Sequence, residues 1–383
     1  MKYSIFICSF FILLLFQNCT KNRRIIDFEA GLTISVSYNE DMYAPLDSFV
    51  SEIKIIPLET NDNCLIGQPL MERVKYHQGL IYISFMRKLL VFDLAGKFIR
   101  EIGSMGEGPG EYIEVRDFLF TDEGTIELLD FLKIESYTLD GKHIGSKKFN
   151  FMGPDYYCNP RNFCLSFSSG YYLWGGIVQD EKLRKQSNLM YRVNHKMDIV
   201  EGYFSQEYGD GGGQDRFKYY QDKILFTPSG FDYNIYQIDS DDDVKIRYSF
   251  DFGKYGFDSN KNIDRQYISY ENFIHDIYNY HETDRFLYFG FSHQKFYHSL
   301  LFSKITGQSY TLTQMQSFKR KEFCLFPIVT MYDDYLIAMI DVYAIKEYLN
   351  GISRENIEKW GLEELENLDN EDNPVLIFYK IKL

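Results

Sequence analysis

The chain has 383 residues, of which 45% are hydrophobic and 17% aromatic, with 32 tyrosines and 33 phenylalanines against only 9 prolines. This composition supports a sizeable core and favours β-strands, because flat rings pack well on pleated sheets. The formal net charge of −14 argues against nucleic acid or an anionic membrane surface as the main partner. The length allows two average domains or one large β domain.

Residues 1–19 have the pattern of a targeting segment. Lys2 precedes an apolar run from Ile5 to Phe16, which is too short to cross a hydrocarbon core about 30 Å thick. Cys19 follows closely, as in a bacterial lipoprotein signal, although Asn18 stands where a small residue is usual. We therefore predict a signal peptide with lipidation at Cys19; a plain cleaved signal or an uncleaved anchor is the alternative. In each case the mature chain leaves the cytoplasm.

A strand that carries an aromatic residue and runs into a turn recurs along the rest of the chain. The clearest copies are Val91–Lys97 and Ser136–Lys142, and weaker copies follow at Met190–Val193, Ile235–Ile238, Leu301–Lys304 and Phe378–Ile381. A repeat of about 40–50 residues is typical of a β-propeller. Six copies predict an all-β, six-bladed propeller over residues 51–383, preceded by a tether and lead-in over residues 20–50.

A second marker precedes each copy and is predicted to open the innermost strand of its blade. It consists of two polar residues followed by an apolar one. The six markers are Glu72-Arg73-Val74, Arg116-Asp117-Phe118, Arg161-Asn162-Phe163, Asp215-Arg216-Phe217, Glu271-Asn272-Phe273 and Lys321-Glu322-Phe323. Each of the six markers precedes one of the six turn copies along the chain, and this shared order supports six blades.

The last blade lacks a fourth strand of its own, because the chain ends at Leu383 soon after the last copy. A surplus strand, Glu52–Leu58, lies before blade one. We predict that this N-terminal strand pairs within blade six and closes the ring, which removes an open sheet edge.

Residues 343–373 interrupt the pattern in blade six. Ile357, Trp360, Leu362 and Leu365 recur near helical spacing, so the segment is predicted to be a short helical insertion. It could serve as a lid or docking helix for a partner, or it could cap the face of the ring through Trp360.

Three stretches then carry a family resemblance: Ile55–Thr60, the turn Phe92–Lys97 and above all Gly103–Tyr112, which reads GSMGEGPGEY. They resemble the six-bladed β-propeller lipoproteins of Bacteroidota, which are related in fold to NHL-repeat and TolB-like propellers. The resemblance implies this fold over the mature chain and a place in the cell envelope, with no catalytic residues. Surface-exported lipoproteins of that phylum tend to be acidic after the cysteine. The basic segment Thr20–Arg24 therefore favours a periplasm-facing anchor.

The remaining motifs predict no metal or cofactor. The Gly106–Tyr112 loop lacks the Gly-Lys-Ser/Thr end of a phosphate loop, which leaves a structural crossover or ligand contacts from its last two residues. Asp239–Asp243 starts like a calcium loop but lacks the required Gly and Glu, because Val244 and Phe250 stand there. His293 and His298 are predicted to lie on opposite faces of one strand.

The cysteines of the mature chain have no zinc spacing. Cys164 and Cys324 each follow a Phe at the same point of the repeat and are predicted to be buried fillers. For Cys158 and Cys164 a disulfide in an oxidising compartment is the alternative.

The strand-opening markers should converge beside the central channel, where propellers usually bind their ligands. The candidate ligand-binding residues are Arg73, Arg116, Asp117, Arg161, Asn162, Arg216, Asn272 and Glu322. Guanidinium and amide groups suit a polyhydroxylated or peptide ligand. Because cations and anions nearly balance in the markers, a salt-bridge network that closes the channel is the other interpretation.

These observations favour a non-catalytic, monomeric lipoprotein of the cell envelope that is anchored in the membrane by its N-terminal lipid. Its propeller would bind a glycan, a peptide or an envelope protein. The first alternative is a propeller enzyme of the lactonase, lyase or glycan-cleaving type, although the chain shows no clustered acid–base pair. The second is a scaffold for envelope assembly.

Overall fold

The computed structural model describes residues 31–39, 41–67, 73–85, 87–131, 133–149, 159–175, 187–205, 215–228, 230–257 and 272–383. Within them, six sheets form the blades of a propeller, each built around four antiparallel strands. The predicted all-β, six-bladed architecture is confirmed. Short helices occur in the connections and in blade six.

Two strands, β1 (Leu32–Ser35) and β2 (Val50–Pro57), precede the first blade, with a 3-10 helix at Leu46–Ser48 between them. Blade one comprises β3 (Arg73–His77), β4 (Leu80–Phe85), β5 (Lys88–Asp93) and β6 (Phe98–Glu101). A short parallel pair of strands, β7 (Ser104–Met105) and β8 (Glu111–Tyr112), lies in the connection from blade one to blade two. Blade two comprises β9 (Asp117–Phe120), β10 (Thr125–Leu129), β11 (Lys133–Thr138) and β12 (His143–Lys148).

The next three blades repeat this order from the innermost strand outward. Blade three comprises β13 (Pro160–Leu165), β14 (Tyr171–Gly175), β15 (Asn188–Val193) and β16 (Ile199–Ser205). Blade four comprises β17 (Phe217–Tyr220), β18 (Lys223–Phe226), β19 (Asn234–Ile238) and β20 (Val244–Asp251), followed by a 3-10 helix at Gly253–Tyr255. Blade five comprises β21 (His275–Glu282), β22 (Phe286–His293), β23 (Phe296–Ser303) and β24 (Ser309–Thr313).

Blade six joins the two ends of the chain. Helix α1 (Gln314–Lys319) precedes its own strands, β25 (Ile328–Tyr332), β26 (Tyr335–Ile340) and β27 (Val375–Ile381). Strand β2 pairs antiparallel with β27 as the outermost strand, with Ile53 opposite Tyr379 and Ile55 opposite Ile377. The predicted closure by the N-terminal strand is confirmed.

The lead-in before β2 contributes structure that the sequence patterns missed. Strand β1 adds to blade four in parallel with β20, which gives that blade five strands. The chain then reaches blade five, where the Tyr38 hydroxyl lies 2.9 Å from Nδ1 of His293 and 3.3 Å from Nε2 of His298. The two histidines share one face because they belong to adjacent strands of a hairpin, and not to one strand. The prediction of opposite faces was wrong.

The insertion between β26 and β27 is helical, as predicted. It consists of α2 (Val342–Asn350), α3 (Arg354–Trp360) and a 3-10 helix at Glu363–Asn367. Asp341 caps α2 by accepting a bond from the backbone N–H of Ala344 at 3.0 Å. Ile345, Ile357 and Leu365 are buried in the core cluster that also contains residues of blades five and six. This packing supports the capping interpretation.

The core lies mainly between adjacent blades, where side chains of one sheet pack on the next. Cys164 and Trp174 of blade three, for example, share a cluster with Phe226 of blade four. Cys164 and Cys324 are buried free cysteines, as the filler interpretation predicts, and Cys64 is also buried and free. Cys158 lies outside the described residues.

The glycine-rich loop is held by its own side chains. Glu111 accepts a bond from the backbone N–H of Gly108 at 2.8 Å, and the buried Tyr112 hydroxyl donates to the carbonyl of Ile102 at 2.9 Å. Gly103 has a φ of +67° and lies against the Tyr112 ring, so a side chain there would be strained and would clash. These contacts support the structural interpretation of the loop.

The acidic turn at residues 239–243 joins blade four to blade three. Asp242 is buried and accepts hydrogen bonds from the Ser166 hydroxyl at 3.1 Å, the Ser168 backbone N–H at 3.2 Å and the Tyr172 hydroxyl at 3.0 Å. Burial alone would raise the pKa of Asp242, but the bonds from Ser168, Tyr172 and Ser166 hold it below the ordinary value. The turn is therefore a contact between blades.

We predict that Asp242→Asn lowers the free energy of unfolding by about 2 kcal/mol at neutral pH, because the amide cannot replace the charge-assisted bonds. The folded-state pKa of Asp242 lies below its ordinary value of 3.8. Its stabilising contribution is therefore present above that value and is lost as the pH falls through the folded pKa. Urea unfolding of both proteins should show a difference that shrinks below pH 3.8.

Asp241→Asn is the matched control for this measurement. Asp241 lies in the same turn but is exposed, so its replacement should leave stability unchanged at every pH. An Asp242→Asn variant as stable as the unmodified chain at neutral pH would contradict the assigned contact.

Candidate functional site at the central channel

The six innermost strands surround one axis. Strand β3 contacts β9, β9 contacts β13, and the series continues through β17, β21 and β25 until β25 contacts β3. The ring is complete only because blade six stands beside blade one, where the rings of Tyr76 and Tyr332 lie 3.8 Å apart. Side chains at the starts of these strands therefore meet around a common channel.

The marker residues of blades one to four occupy equivalent places at the strand starts. Their apolar third members pack into the interface with the preceding blade: Val74, Phe118, Phe163 and Phe217. Because side chains alternate along a strand, the middle members point to the other side, toward the channel and the next blade. These middle members are all buried: Arg73, Asp117, Asn162 and Arg216. Asp117 Oδ2, for instance, accepts the backbone N–H of Phe163 at 3.1 Å.

Further charged groups from the same strands join them. Lys75 donates to Asp117 Oδ1 at 2.8 Å, and Lys218 donates to Asp215 Oδ2 at 2.5 Å. The carboxylates of Asp117 and Asp215 both favour the charged form of Lys75, which places the two ion pairs in one electrostatic neighbourhood. We call Arg73, Lys75, Asp117, Asp215, Lys218 and His281 the channel cluster.

The pKa values of the channel cluster follow from this arrangement. Burial would raise the pKa of Asp215, but Lys218, Lys75 and Arg73 hold it below the ordinary value. Burial by itself would lower the pKa of Lys75. The carboxylates of Asp117 and Asp215 outweigh that effect, so the pKa of Lys75 is raised. For Lys218 the effect of burial exceeds the opposing effect of the Asp215 carboxylate, so the pKa of Lys218 is lowered. The cluster holds three cations and two carboxylates, so it carries a small positive excess.

His281 stands apart within the cluster because it is neutral. It is only 4% exposed, and burial together with nearby Lys218 places its pKa well below the ordinary value. Its Nε2 atom has no hydrogen-bond partner in the described part of the chain. A neutral imidazole can accept or donate a hydrogen bond to a ligand.

Two buried polar side chains beside the channel also lack partners. Both amide atoms of Asn162 and the indole Nε1 of Trp174 make no hydrogen bond with described residues, although both side chains are fully buried. The two residues face each other across β13 and β14, and the Arg216 guanidinium lies 5.9 Å from the Trp174 ring. Each unsatisfied buried group costs about 1–3 kcal/mol. In folded proteins such groups are usually satisfied by an ordered water or another polar molecule.

Arg116 and Arg161 belong to a local contact between blades two and three. Arg116 is buried, donates to the carbonyl of Pro160 at 3.0 Å and pairs with Glu114 at 3.2 Å. It also contacts Asn159 and stacks on the Phe131 ring. Arg161 is more exposed and lies 3.7 Å from Glu114. The salt-bridge interpretation therefore fits these two arginines.

Asn272 and Glu322 do not join the channel cluster. Asn272 is exposed and precedes β21, which begins at His275. Glu322 follows α1, whereas the innermost strand of blade six begins at Ile328. The prediction that the sixth marker opens a strand was wrong, because a helix and a loop occupy that place.

Lys75, Lys218 and His281 were missed as site residues. Lys75 and Lys218 lie two positions beyond Arg73 and Arg216, so the period-two alternation of a strand places them on the same side. The period-two alternation in blades one and four was therefore enough to identify Lys75 and Lys218 from the sequence. In the described residues, no group of three or more His, Cys, Asp or Glu side chains is placed to hold a metal ion.

Comparison with known proteins gives one family and several similar folds. The family described as a domain of unknown function, DUF4934, matches residues 31–380. No curated protein matches the chain. Among the described residues, none of the helices combines the length and apolar character needed to cross a bilayer.

A crystal structure of a Bacteroides fragilis protein described as exported is 20% identical and has a TM-score of 0.71, covering 92% of this chain and 99% of its own. At this identity the similarity shows the shared fold. A TolB-type protein from Agrobacterium tumefaciens is 11% identical with a TM-score of 0.39, over 69% of this chain and 90% of its own. The extracellular domain of a one-component system from B. thetaiotaomicron has the same identity and TM-score, over 69% of this chain and 31% of its own.

We predict that Asn162→Leu raises the free energy of unfolding by about 1–2 kcal/mol, because leucine has a similar size and removes the unsatisfied amide. Urea unfolding measures the change. Asn373→Leu is the control, since that buried amide donates to the carbonyls of Glu59 at 2.6 Å and Cys64 at 2.8 Å. The control should lose about 3 kcal/mol. A comparable loss in Asn162→Leu would show that the Asn162 amide has a structural partner.

Proposed function

The chain belongs to the DUF4934 family, and on that premise we propose that it is a non-catalytic cell-envelope lipoprotein whose propeller binds a polar ligand at the channel. One observation carries the proposal: the fully buried amide of Asn162 makes no hydrogen bond with any described residue, and it lies beside a cluster of charges drawn from several blades. Elsewhere, buried carboxylates such as Asp242 and Glu282 are paired with groups of a neighbouring blade. A binding site needs polar groups that the other residues leave without hydrogen bonds, and such groups lie at the channel.

The channel cluster favours a glycan or a peptide over an apolar compound. Arg73, Lys75 and Lys218 supply donors, and Asp117 and Asp215 supply acceptors, while His281 can do either. A ligand rich in hydroxyl or amide groups can satisfy both kinds of group at once. The small positive excess suits a ligand that is neutral or carries a single negative charge. An envelope protein that presents such a segment would bind in the same way.

The place in the cell envelope rests on the N-terminal segment, which lies outside the described residues. Its charged start, apolar run and Cys19 fit a lipoprotein signal. The B. fragilis protein of the same fold is described as exported. The basic residues after Cys19 favour an anchor that faces the periplasm. Because β2 completes blade six within one chain, the ring closes without a second copy, and we expect a monomer.

The ligand site is tested with the mature chain and libraries of glycans and peptides, screened by thermal shift. We expect at least one compound to raise Tm, because a ligand that binds only the folded state stabilises it. Asn162→Leu should bind that compound about tenfold more weakly or worse, because each hydrogen bond lost there is worth roughly 1–2 kcal/mol. Titration calorimetry gives the affinities.

Asn272→Leu is the matched control, because Asn272 is exposed and lies outside the channel cluster. It should bind the compound as the unmodified chain does. Equal affinities in all three proteins would refute the channel as the ligand site. Turnover of the compound, followed by mass spectrometry, would instead favour the enzyme alternative.

The anchor is tested by expression of the full chain and of Cys19→Ser, followed by membrane fractionation and palmitate labelling. The unmodified protein should incorporate label and sediment with membranes, whereas Cys19→Ser should lose both properties because it lacks the acceptor thiol. Cys164→Ser is the control, since that cysteine is buried in the propeller. Labelling that survives in Cys19→Ser would exclude lipidation at this position.

A further inference from the structure

A second cleft lies away from the channel, where the helical insertion meets the lead-in and the connection between blades five and six. Its volume is about 330 Å³, at the lower end of the range for small-molecule sites. The polar and aromatic groups that matter in its walls are Asp47, Arg320, Glu322, Glu355, Asn356 and Trp360. Glu322, which the sequence placed in the channel ring, belongs here.

The cations of this cleft are already engaged. Lys359 donates to Asp47 at 2.7 Å, and its Nζ lies 5.3 Å from the centre of the Trp360 ring. Arg320 donates to the carbonyl and side-chain oxygens of Gln316 at 3.3 and 3.2 Å. Its guanidinium also stacks on Tyr43 at 4.2 Å.

Several hydrogen-bond acceptors of the cleft, by contrast, are not paired with described residues. No described residue donates a hydrogen bond to the carboxylate of Glu322 or Glu355, and neither forms an ion pair. Asn356 uses its Nδ2 to donate to the Ser353 hydroxyl at 3.1 Å, while its Oδ1 accepts nothing from the described residues. Glu355 is exposed and Glu322 and Asn356 are partly exposed, so a ligand that displaces their water must supply donors in its place.

The walls are also fixed in place. Helix α3 is tied to the blade connection by the Ser353 backbone N–H, which donates to the carbonyl of Lys321 at 2.8 Å. Ile357 anchors the helix in the core, and Arg354 donates to both carboxylate oxygens of Glu366 at 2.9 and 3.0 Å. A rigid site loses less entropy on binding.

We propose that this cleft binds a neutral sugar unit of a glycan. Sugar hydroxyls donate to Glu322, Glu355 and Asn356, and the C–H face of the ring packs on the partly buried Trp360. The wall carries three carboxylates and two cations, so a single negative charge is in excess. An anionic ligand would meet repulsion from Glu322 and Glu355. A strongly cationic one would meet Arg320, whose partners Gln316 and Tyr43 are neutral, whereas Lys359 is paired with Asp47. A neutral polyhydroxylated ring satisfies the acceptors without either cost.

Tryptophan fluorescence can report on the cleft directly. The chain has 2 tryptophans, and Trp174 is fully buried in the core whereas Trp360 lines the cleft. The mature protein is first screened on an array of neutral mono- to tetrasaccharides. The strongest binder is then titrated while emission is recorded. We expect a saturable change that disappears in Trp360→Phe.

Two isosteric variants test the contacts. Glu322→Gln and Glu355→Gln should each weaken binding about tenfold, because a hydrogen bond to a charged acceptor is lost or weakened. Glu364→Gln is the matched control: it makes the same change in the same insertion, at an exposed residue outside the cleft. It should bind unchanged. Asn162→Leu should also bind unchanged, so this result is independent of the channel proposal.

Three outcomes would overturn the proposal. The first is that no sugar on the array binds. The second is that a sugar binds but both glutamine variants retain full affinity. The third is an emission change that persists in Trp360→Phe, because Trp174 beside the channel would then be the reporter. Far-UV circular dichroism and urea unfolding establish that each variant is folded.

Discussion

The pairing of β2 with β27 is the contact on which the rest of this structure depends. It brings the start and the end of the propeller into one sheet and gives blade six its outermost strand. An unpaired β27 would expose a row of backbone donors and acceptors, as edge strands do. The closed ring also holds blade six against blade one, where β25 meets β3. The channel and every group that points into it exist because of this closure.

Once the ring is closed, buried carboxylates join neighbouring blades. Asp117 links Lys75 of blade one to the backbone of blade three. Asp242 joins blade four to blade three, and Glu282 of blade five accepts two hydrogen bonds from the Arg247 guanidinium of blade four, at 2.7 and 2.9 Å. Breaking such a pair would leave a buried charge without its partner. Asn162, Trp174 and His281 differ from these carboxylates, because each has a buried polar atom without a hydrogen-bond partner among the described residues.

The sequence markers predicted part of the candidate site for a clear reason. Arg73, Asp117, Asn162 and Arg216 each follow the same local rule, in which an apolar neighbour packs on the preceding blade and turns the polar residue toward the channel. Glu322 breaks the rule because α1 and a loop separate it from its strand. It lines the second cleft instead, together with the insertion. No spacing rule could reveal that cleft, since its walls come from three segments far apart in the chain.

The sequence by itself determined the number of blades, the strand that closes the ring and the helical insertion, because period-two alternation and turn residues are local properties. The tertiary structure decided which polar groups form hydrogen bonds or ion pairs with other residues and which do not. Lys75 meets Asp117 across two blades, and Tyr38 reaches His293 from the lead-in. Such partners are separated by many residues, and their meeting depends on how strands and blades stack. The division between structural and ligand-binding groups therefore appears only when the ring is complete.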